Sequence, residues 1–572
     1  MTLAEVIAQQ RQERQRCLKA ILDSKAKRKL IVAGAGTGKT FAFGELLAQR
    51  EGENNLALTF IRKLVDDMAS ALGQAAEVKT FHAYCKKILH ERHGSIELAP
   101  LLSTIIRTDA ELLGRALGDF DTKIRMLEED SPEVAFYLRR GDYYQVVGFD
   151  DSVYRLYCEL RENGEVLPDF GQIVVDEYQD FNPLEVAFIH ELAKKGNILI
   201  VGDDDQALYE DRSASPGYLR QLHGSGEFER FELPFCSRCT EVVVAATNHV
   251  IATAQAHGLL HSRIAKRYEC YMEEKHQDSV KYPKIIRALC TTVGVVATYI
   301  EREIASIDPP DIAESHAEGK EYPTVLVAGP GHYLREIRKR LTPKYPQISY
   351  TPSQPIASDI VDAYKILITN EQSNFGWRIL LDVLCDQETQ KRVVIASEDG
   401  SSMRALLDAN FVTTHLEAIQ LAYSVIVGEQ TPQAVESRVK ELSGPFADAV
   451  MAWLTNDAAD DQEALDVNSP TVLLTTYKGC KGLSAGHVFI VGAHDGVLPK
   501  DRNAIQDREV SQFVVALTRT RKQCHVLSNK WVNAPKNKAG QFVAPFEASP
   551  FAEWIPSGLV KNLGNLAAKH FK

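Results

Sequence analysis

The stretch Lys29 to Thr40, KLIVAGAGTGKT, constrains this chain more than any other. Leu30, Ile31 and Val32 form a short apolar run that reads as a buried parallel strand. Ala33, Gly34, Ala35, Gly36, Thr37 and Gly38 follow, and the three glycines let successive backbone N–H groups turn inward. Such a nest, opening onto a helix, binds phosphate oxygens through backbone donors and the positive helix end. Lys39 is expected to reach the β- and γ-phosphates and Thr40 to hold Mg²⁺. The first glycine of the strict pattern is Ala33 here. A chance glycine-rich turn is the competing reading, but strand, glycines and Gly-Lys-Thr together oppose it.

Two further strand ends narrow the chemistry. Ile173–Val175 delivers Asp176 and Glu177 at its C-terminal end, one carboxylate for Mg²⁺ and one for the attacking water. Ile198–Val201 ends in Gly202–Asp203–Asp204–Asp205–Gln206, where Gln206 can sense the γ-phosphate. Paired carboxylates after a strand are also compatible with a solvated turn, and the upstream phosphate loop decides for hydrolysis. Length adds an expectation of two to four domains, since 572 residues exceed what one core usually serves. The net charge of −12, from 65 basic and 77 acidic residues, opposes non-specific coating of nucleic acid. It leaves room for a local basic groove. No apolar run is long enough to span a bilayer, and the first residues do not read as a secretory signal. Ten scattered cysteines suit a reduced, cytoplasmic protein.

In order along nearly the whole chain, these and other segments resemble the superfamily-1 helicases of the UvrD type. LALTFIRKLVDDM at 56–68, KTFHAYCKKIL at 79–89, GFDD at 148–151, VVDEYQDFNPLE and VGDDDQALY carry the resemblance in the first half. FELPFCSRCTEVV at 231–243, TVLVAGPGHYLREIRKRL at 324–341, TTYKGCKGLSAGHVFIVGAHDGVLPK at 475–500, VALTRTRKQCHVL at 515–527 and SPFAEWIP carry it in the second. In that family an alanine commonly begins the phosphate loop, so Ala33 ceases to be a departure.

The resemblance implies an α/β fold of two RecA-like P-loop NTPase domains with two largely helical inserted subdomains. The expected divisions are 1–95 and 168–240 for the first motor domain and 96–167 for the first insert. Residues 241–385 and 470–572 are assigned to the second motor domain, and 386–469 to a reduced second insert. ATP is expected between the motor domains, with Gln15 reading adenine, Gly482 beside the nucleotide, and Arg238 and Arg519 acting as arginine fingers. Phe60, Phe81, His82, Tyr209, Arg212, Thr476 and Lys478 match positions that touch single-stranded DNA. For Phe60 and Phe81 core packing is the equal alternative. The implied activity is an ATP-dependent translocase or helicase with 3′ to 5′ polarity on single-stranded or tailed DNA. The alternative is a DNA- and ATP-sensing subunit that signals to a separate nuclease effector, as in bacterial antiviral systems.

Departures from the family pattern fall at base clamping and DNA coupling. Ser237 replaces a tyrosine, Asp211 an aromatic residue, Ser484 an acidic residue and Lys478 a histidine. Cys236 and Cys239 form a CxxC pair. Structural zinc wants four ligands, with Cys270 the only plausible third, so substituted motif positions are the simpler reading.

Overall fold

The computed structural model describes residues 2–571 except 60–64, 66–72, 74, 95, 318–321, 346–347, 352–358, 458–468 and 535–541. Phe60 therefore lies outside the described residues. Two parallel sheets organise the chain. The first has six strands in the order Glu77–Thr80, Asn55–Thr59, Phe170–Val175, Gly196–Gly202, Arg28–Val32 and Glu229–Glu232. The second has seven, in the order Ile348–Thr351, Val472–Thr475, Val325–Ala328, Ala485–Val491, Thr520–Asn529, Ile285–Cys290 and Val560–Leu566.

Both sheets are covered by helices, which is why their central strands read as continuous apolar runs and not as alternating ones. Ile173, Val174 and Val175 are fully buried, as are Leu30, Ile31 and Ile198 to Val201. Register places the three strand ends that carry the expected site residues side by side: Val32 pairs with Gly202, and Val175 with Ile200. In an open parallel sheet, ligands bind outside the carboxyl ends of the strands. The first sheet presents its phosphate loop, acidic pair and Gln206 there.

A first helical body follows the strand Glu77–Thr80, with helices Leu102–Leu112, Phe120–Arg125, Pro132–Tyr144 and Phe149–Glu162. A second spans Ile360–Asp457. It begins at Ile360, ahead of the boundary expected at 386. The helices Ile360–Thr369 and Asn374–Leu384 bury Ile360, Tyr364, Leu367, Trp377, Leu380 and Leu381 in the helical core. Their apolar faces therefore belong to the insert and not to the second sheet.

The two helical bodies meet through a buried charge cluster. Asp109 accepts from Arg140 Nη2 at 2.6 Å, from Arg378 Nε at 2.8 Å and from the Tyr144 hydroxyl at 2.6 Å. All four residues are buried. Replacing one member of such a cluster strands the remaining charge, a loss of about 3–5 kcal/mol.

Candidate active site and strand track

The phosphate loop has the backbone its sequence demands. Gly36 and Gly38 adopt φ of 67° and 88°, left-handed values that disfavour any side chain. A Cβ on Gly36 would lie 2.5 Å from Arg238 Cβ, and one on Gly34 2.7 Å from the Tyr268 ring. Gly36 thus permits close approach of Arg238, and Gly34 that of Tyr268. Thr37 Oγ1 donates to the Gly34 carbonyl at 3.0 Å and ties the loop to itself. Gly38 caps the helix Lys39–Ala48 without a side-chain bond, leaving its first N–H groups for an anion.

That loop forms one wall of a cavity of about 380 Å³. Ala35 to Thr40, Asp176, Glu177 and Gln206 come from the first sheet. Ser237, Arg238, Tyr322, Gly482, Ser484, Arg519 and Arg521 supply the opposite wall. Lys39, Arg238, Arg519 and Arg521 thus surround two carboxylates, a balance suited to a polyphosphate and not to a neutral ligand. Thr40 and Asp176 put a hydroxyl and a carboxylate oxygen into the same cleft, a hard-oxygen set that fits Mg²⁺.

The acidic pair is electrostatically split. Burial and the adjacent Glu177 charge push Asp176 up to about 7. Burial also pushes Glu177 upward, but Lys481 and Lys39 outweigh it and hold its carboxyl well below the usual carboxylate range. Lys481 Nζ lies 3.3 Å from Glu177 Oε2, and Gln179 Nε2 donates to the same oxygen at 2.5 Å. Glu177 itself has φ of 55°, an unusual conformation for a non-glycine residue that turns its carboxylate to these partners. Lys481 also contacts Asp180 and donates to the Gln206 carbonyl at 3.0 Å.

Arg519 makes the second bridge between the sheets. Its Nη2 donates to Gln206 Oε1 at 2.9 Å, and Nε donates to the Val515 carbonyl at 2.9 Å. Burial and the Arg238 charge pull it down to about 10. Gln206 Nε2 in turn donates to Asp203 at 2.5 Å. Asp203, Asp204 and Asp205 are neutralised by Lys266, which lies within 2.8 Å of all three, together with Arg263 and Arg220.

Lys481, Arg521 and Tyr322 are the cleft residues that sequence reasoning missed. Lys481 had a signal, the Lys-Gly-Leu triplet itself. Arg521 lies at the start of the strand Thr520–Asn529, two residues after Arg519, and its guanidinium lies 5.0 Å from the Tyr322 ring centre.

Gln15 is exposed on the helix Leu3–Asp23 and is not among the residues lining the cleft. Its neighbour Arg14 instead stands over the rings of Phe41 and Tyr271, at 5.3 and 5.4 Å. Phe41, directly after Thr40, is 49% exposed and offers an aromatic face that Ser237 does not provide.

The residues expected on a nucleic-acid track divide. Phe81 is 1% exposed and packs on Phe181 and Phe188 with ring centres 5.5 and 5.2 Å apart, so it offers no face to a base. His82 is largely covered and sits 4.0 Å from Asp150 and 3.8 Å from Glu185. Arg212 joins the same cluster, 3.4 Å from Asp150. Tyr209 is half-buried, with the ammonium groups of Lys478 and Lys481 at 6.0 and 5.8 Å from its ring centre. Thr476 Oγ1 accepts from the Gly479 N–H at 3.0 Å and shapes the turn beneath Lys478. Lys478 Nζ donates to Asp211 at 2.5 Å, so two departures from the family pattern meet as an ion pair between the two halves.

Comparison with known proteins agrees with this geometry. Residues 18–212 match the AAA domain family. The chain is 27% identical over 291 residues to the ATP-dependent DNA helicase UvrD1 of Mycobacterium tuberculosis, covering 39% of this chain and 37% of that protein. It is 31% identical over 237 residues to the ATP-dependent DNA helicase PcrA of Bacillus subtilis, covering 32% of each. The ATP-dependent DNA helicase Rep of Buchnera aphidicola aligns more widely, at 20% identity over 614 residues, 86% of this chain and 91% of the relative. The first relatives are thus matched over little more than a third of their own length. No helix among the described residues is long and apolar enough to cross a membrane.

Proposed function

We propose that this chain, a divergent relative of the UvrD-type helicases, is an ATP-driven motor that steps along single-stranded DNA with 3′ to 5′ polarity. The observation that carries the reading is the cleft: a phosphate loop on one sheet faces Lys481, Arg519 and Arg521 from the other.

In this reading Lys39 and the loop N–H groups hold the β- and γ-phosphates. Thr40 and Asp176 would hold Mg²⁺, which would supply charge neutralisation at the phosphates. Glu177, kept ionised by Lys481, accepts a proton from the attacking water. Arg238 and Arg519 meet the negative charge that develops on the transferring phosphoryl group. Because Lys481 and Arg519 contact Glu177, Asp180 and Gln206 across the cleft, losing the γ-phosphate alters what holds the two halves together. Alternate closing and opening of that cleft is the step that moves a strand.

Among the described residues, Tyr209 with Lys478 and Lys481 around it offers a stacking platform on the strand track, whereas Phe81 is in the core. Base stacking is worth about 1–3 kcal/mol per base and ignores sequence, as a motor requires. The test is ATP hydrolysis measured in parallel without nucleic acid and with single-stranded DNA, duplex DNA or RNA. Stimulation by single-stranded DNA above the other three is the expected result. A rate indifferent to all four would overturn the reading.

A further inference from the structure

The CxxC pair beside Arg238 is not used by the hydrolysis chemistry, and its surroundings are those of a reactive dithiol. Cys236 ends a short strand and Cys239 precedes Thr240, the N-cap of the helix Glu241–Ala256. The Cys239 N–H points at Cys236 Sγ from 3.3 Å. The Tyr268 hydroxyl lies 3.3 Å from Cys236 Sγ and 3.7 Å from Cys239 Sγ, so both sulfurs converge on one donor. Sulfur under several hydrogen-bond donors is favoured as thiolate, the form that reacts. Burial opposes this at Cys236, but the bonds from Cys239 and Tyr268 outweigh it and bring that thiol down, while the pairing with Cys236 and burial push the Cys239 thiol well up.

The pair is also wired into the nucleotide cleft. The same hydroxyl lies 3.0 Å from the Ala35 carbonyl oxygen, which competes with the sulfurs for its single hydrogen, and the Tyr268 ring lies against Gly34. Ser237, between the cysteines, donates to the Gly36 carbonyl from its N–H at 2.8 Å and from its hydroxyl at 3.0 Å. Cys239 Sγ donates to the Thr518 carbonyl at 3.4 Å, next to Arg519. Arg238 sits inside the loop that a Cys236–Cys239 bond would close.

We propose that Cys236 and Cys239 form a peroxide-reactive dithiol whose oxidation to a disulfide switches off the nucleotide cleft. The Cys236 thiolate attacks hydrogen peroxide, giving a sulfenic acid and releasing hydroxide. The Cys239 thiol then displaces that oxygen as water, and the disulfide forms. Two thiols are oxidised and one peroxide is reduced to two waters. Both sulfurs are fully buried, so the oxidant has to be small, which hydrogen peroxide is. The disulfide removes the Cys239 bond to Thr518 and the thiolate acceptor of Tyr268. Arg238 and the Ser237–Gly36 contacts are then held in a different arrangement against the phosphate loop.

The switch rests on the proposed ATPase for its effect, but the bond itself is read independently. The full-length chain, fully reduced, is treated with hydrogen peroxide, alkylated and mapped by peptide mass spectrometry, and its ATPase is measured before and after. The expected result is a Cys236–Cys239 link, with hydrolysis falling by roughly tenfold or more and recovering with dithiothreitol. Cys236→Ser and Cys239→Ser should each hydrolyse at the same rate before and after peroxide. Oxidation that maps to other cysteines, including a Cys236–Cys270 link, overturns the proposal. So does a Cys236–Cys239 disulfide that leaves the rate unchanged. A chain that forms this disulfide but hydrolyses no ATP when reduced contradicts the proposed function and leaves the reactive pair established.

Discussion

Lys481 Nζ stands 3.3 Å from Glu177 Oε2, and the two residues come from opposite sides of the nucleotide cleft. One cation thus holds the proposed general base ionised and joins the sheets, so in the proposed mechanism base strength and cleft closure are linked through a single contact. Lys481 is 1% exposed at its side chain, and Asp180, which it also contacts, is fully buried. Lys481→Ala should therefore leave two carboxylates without their cation, with a stability loss of about 3–5 kcal/mol. Hydrolysis should fall with it, and Lys481→Met, which keeps the packing volume, should not restore the rate. Denaturant unfolding and ATPase on both variants check this, and near-parent turnover in either would contradict it.

Glu177→Gln should bind nucleotide and fail to turn it over, because the phosphate contacts remain and the proton acceptor is gone. Lys39→Ala should lose hydrolysis through the phosphate contact itself. Equilibrium binding of a fluorescent ATP analogue beside steady-state turnover separates the two. Glu177→Gln hydrolysing near the parent rate would mean that another group is the base.

The Lys478–Asp211 pair should restrain the strand track. Asp211→Ala frees an ammonium group beside Tyr209 and removes a charge that repels phosphate. Affinity for a single-stranded oligonucleotide should rise several-fold, with a steeper salt dependence, since one more phosphate is neutralised. Fluorescence anisotropy across a salt series reads both, and unchanged affinity and slope would contradict it.

Glu185 gives a pH signature. Burial pushes its carboxyl up to about 7 from an ordinary 4.5, with His82 facing it at 3.8 Å. The folded chain therefore keeps a proton that the unfolded chain has lost between those values. Stability from this group is present at low pH and falls as pH rises through that window. Glu185→Gln keeps an acceptor for the Asn182 N–H and removes the ionisation. It should gain on the parent by an amount on the order of 2–3 kcal/mol between pH 5 and pH 8. Parallel stability profiles for the two proteins would refute this.

Sequence carried the first wall of the cleft because that wall is local. Gly36, Gly38, Lys39, Asp176 and Glu177 sit at strand ends whose apolar runs announce them. The second wall was legible only in part. Arg519 could be assigned by resemblance, whereas Lys481 acts through contacts with Glu177 and Asp180 that no spacing along the chain reveals. Asp211 and Lys478 were visible as separate departures, but their pairing is a fact of the fold. Phe81 is a position at which the sequence leaves two readings equal. An aromatic residue before a histidine reads alike whether it faces a base or the core, and here Phe181 and Phe188 enclose it. The helices Ile360–Thr369 and Asn374–Leu384 are a related case, since an apolar helix face does not name the surface it covers.

The most direct test of the account is single-turnover ATP hydrolysis by Arg519→Ala with single-stranded DNA present. Arg519 touches Gln206 across the cleft and holds no part of the phosphate loop. If the two sheets act as one ATPase, nucleotide should still bind and the chemical step should slow by roughly a thousandfold. Hydrolysis near the parent rate would contradict catalysis shared between the two halves.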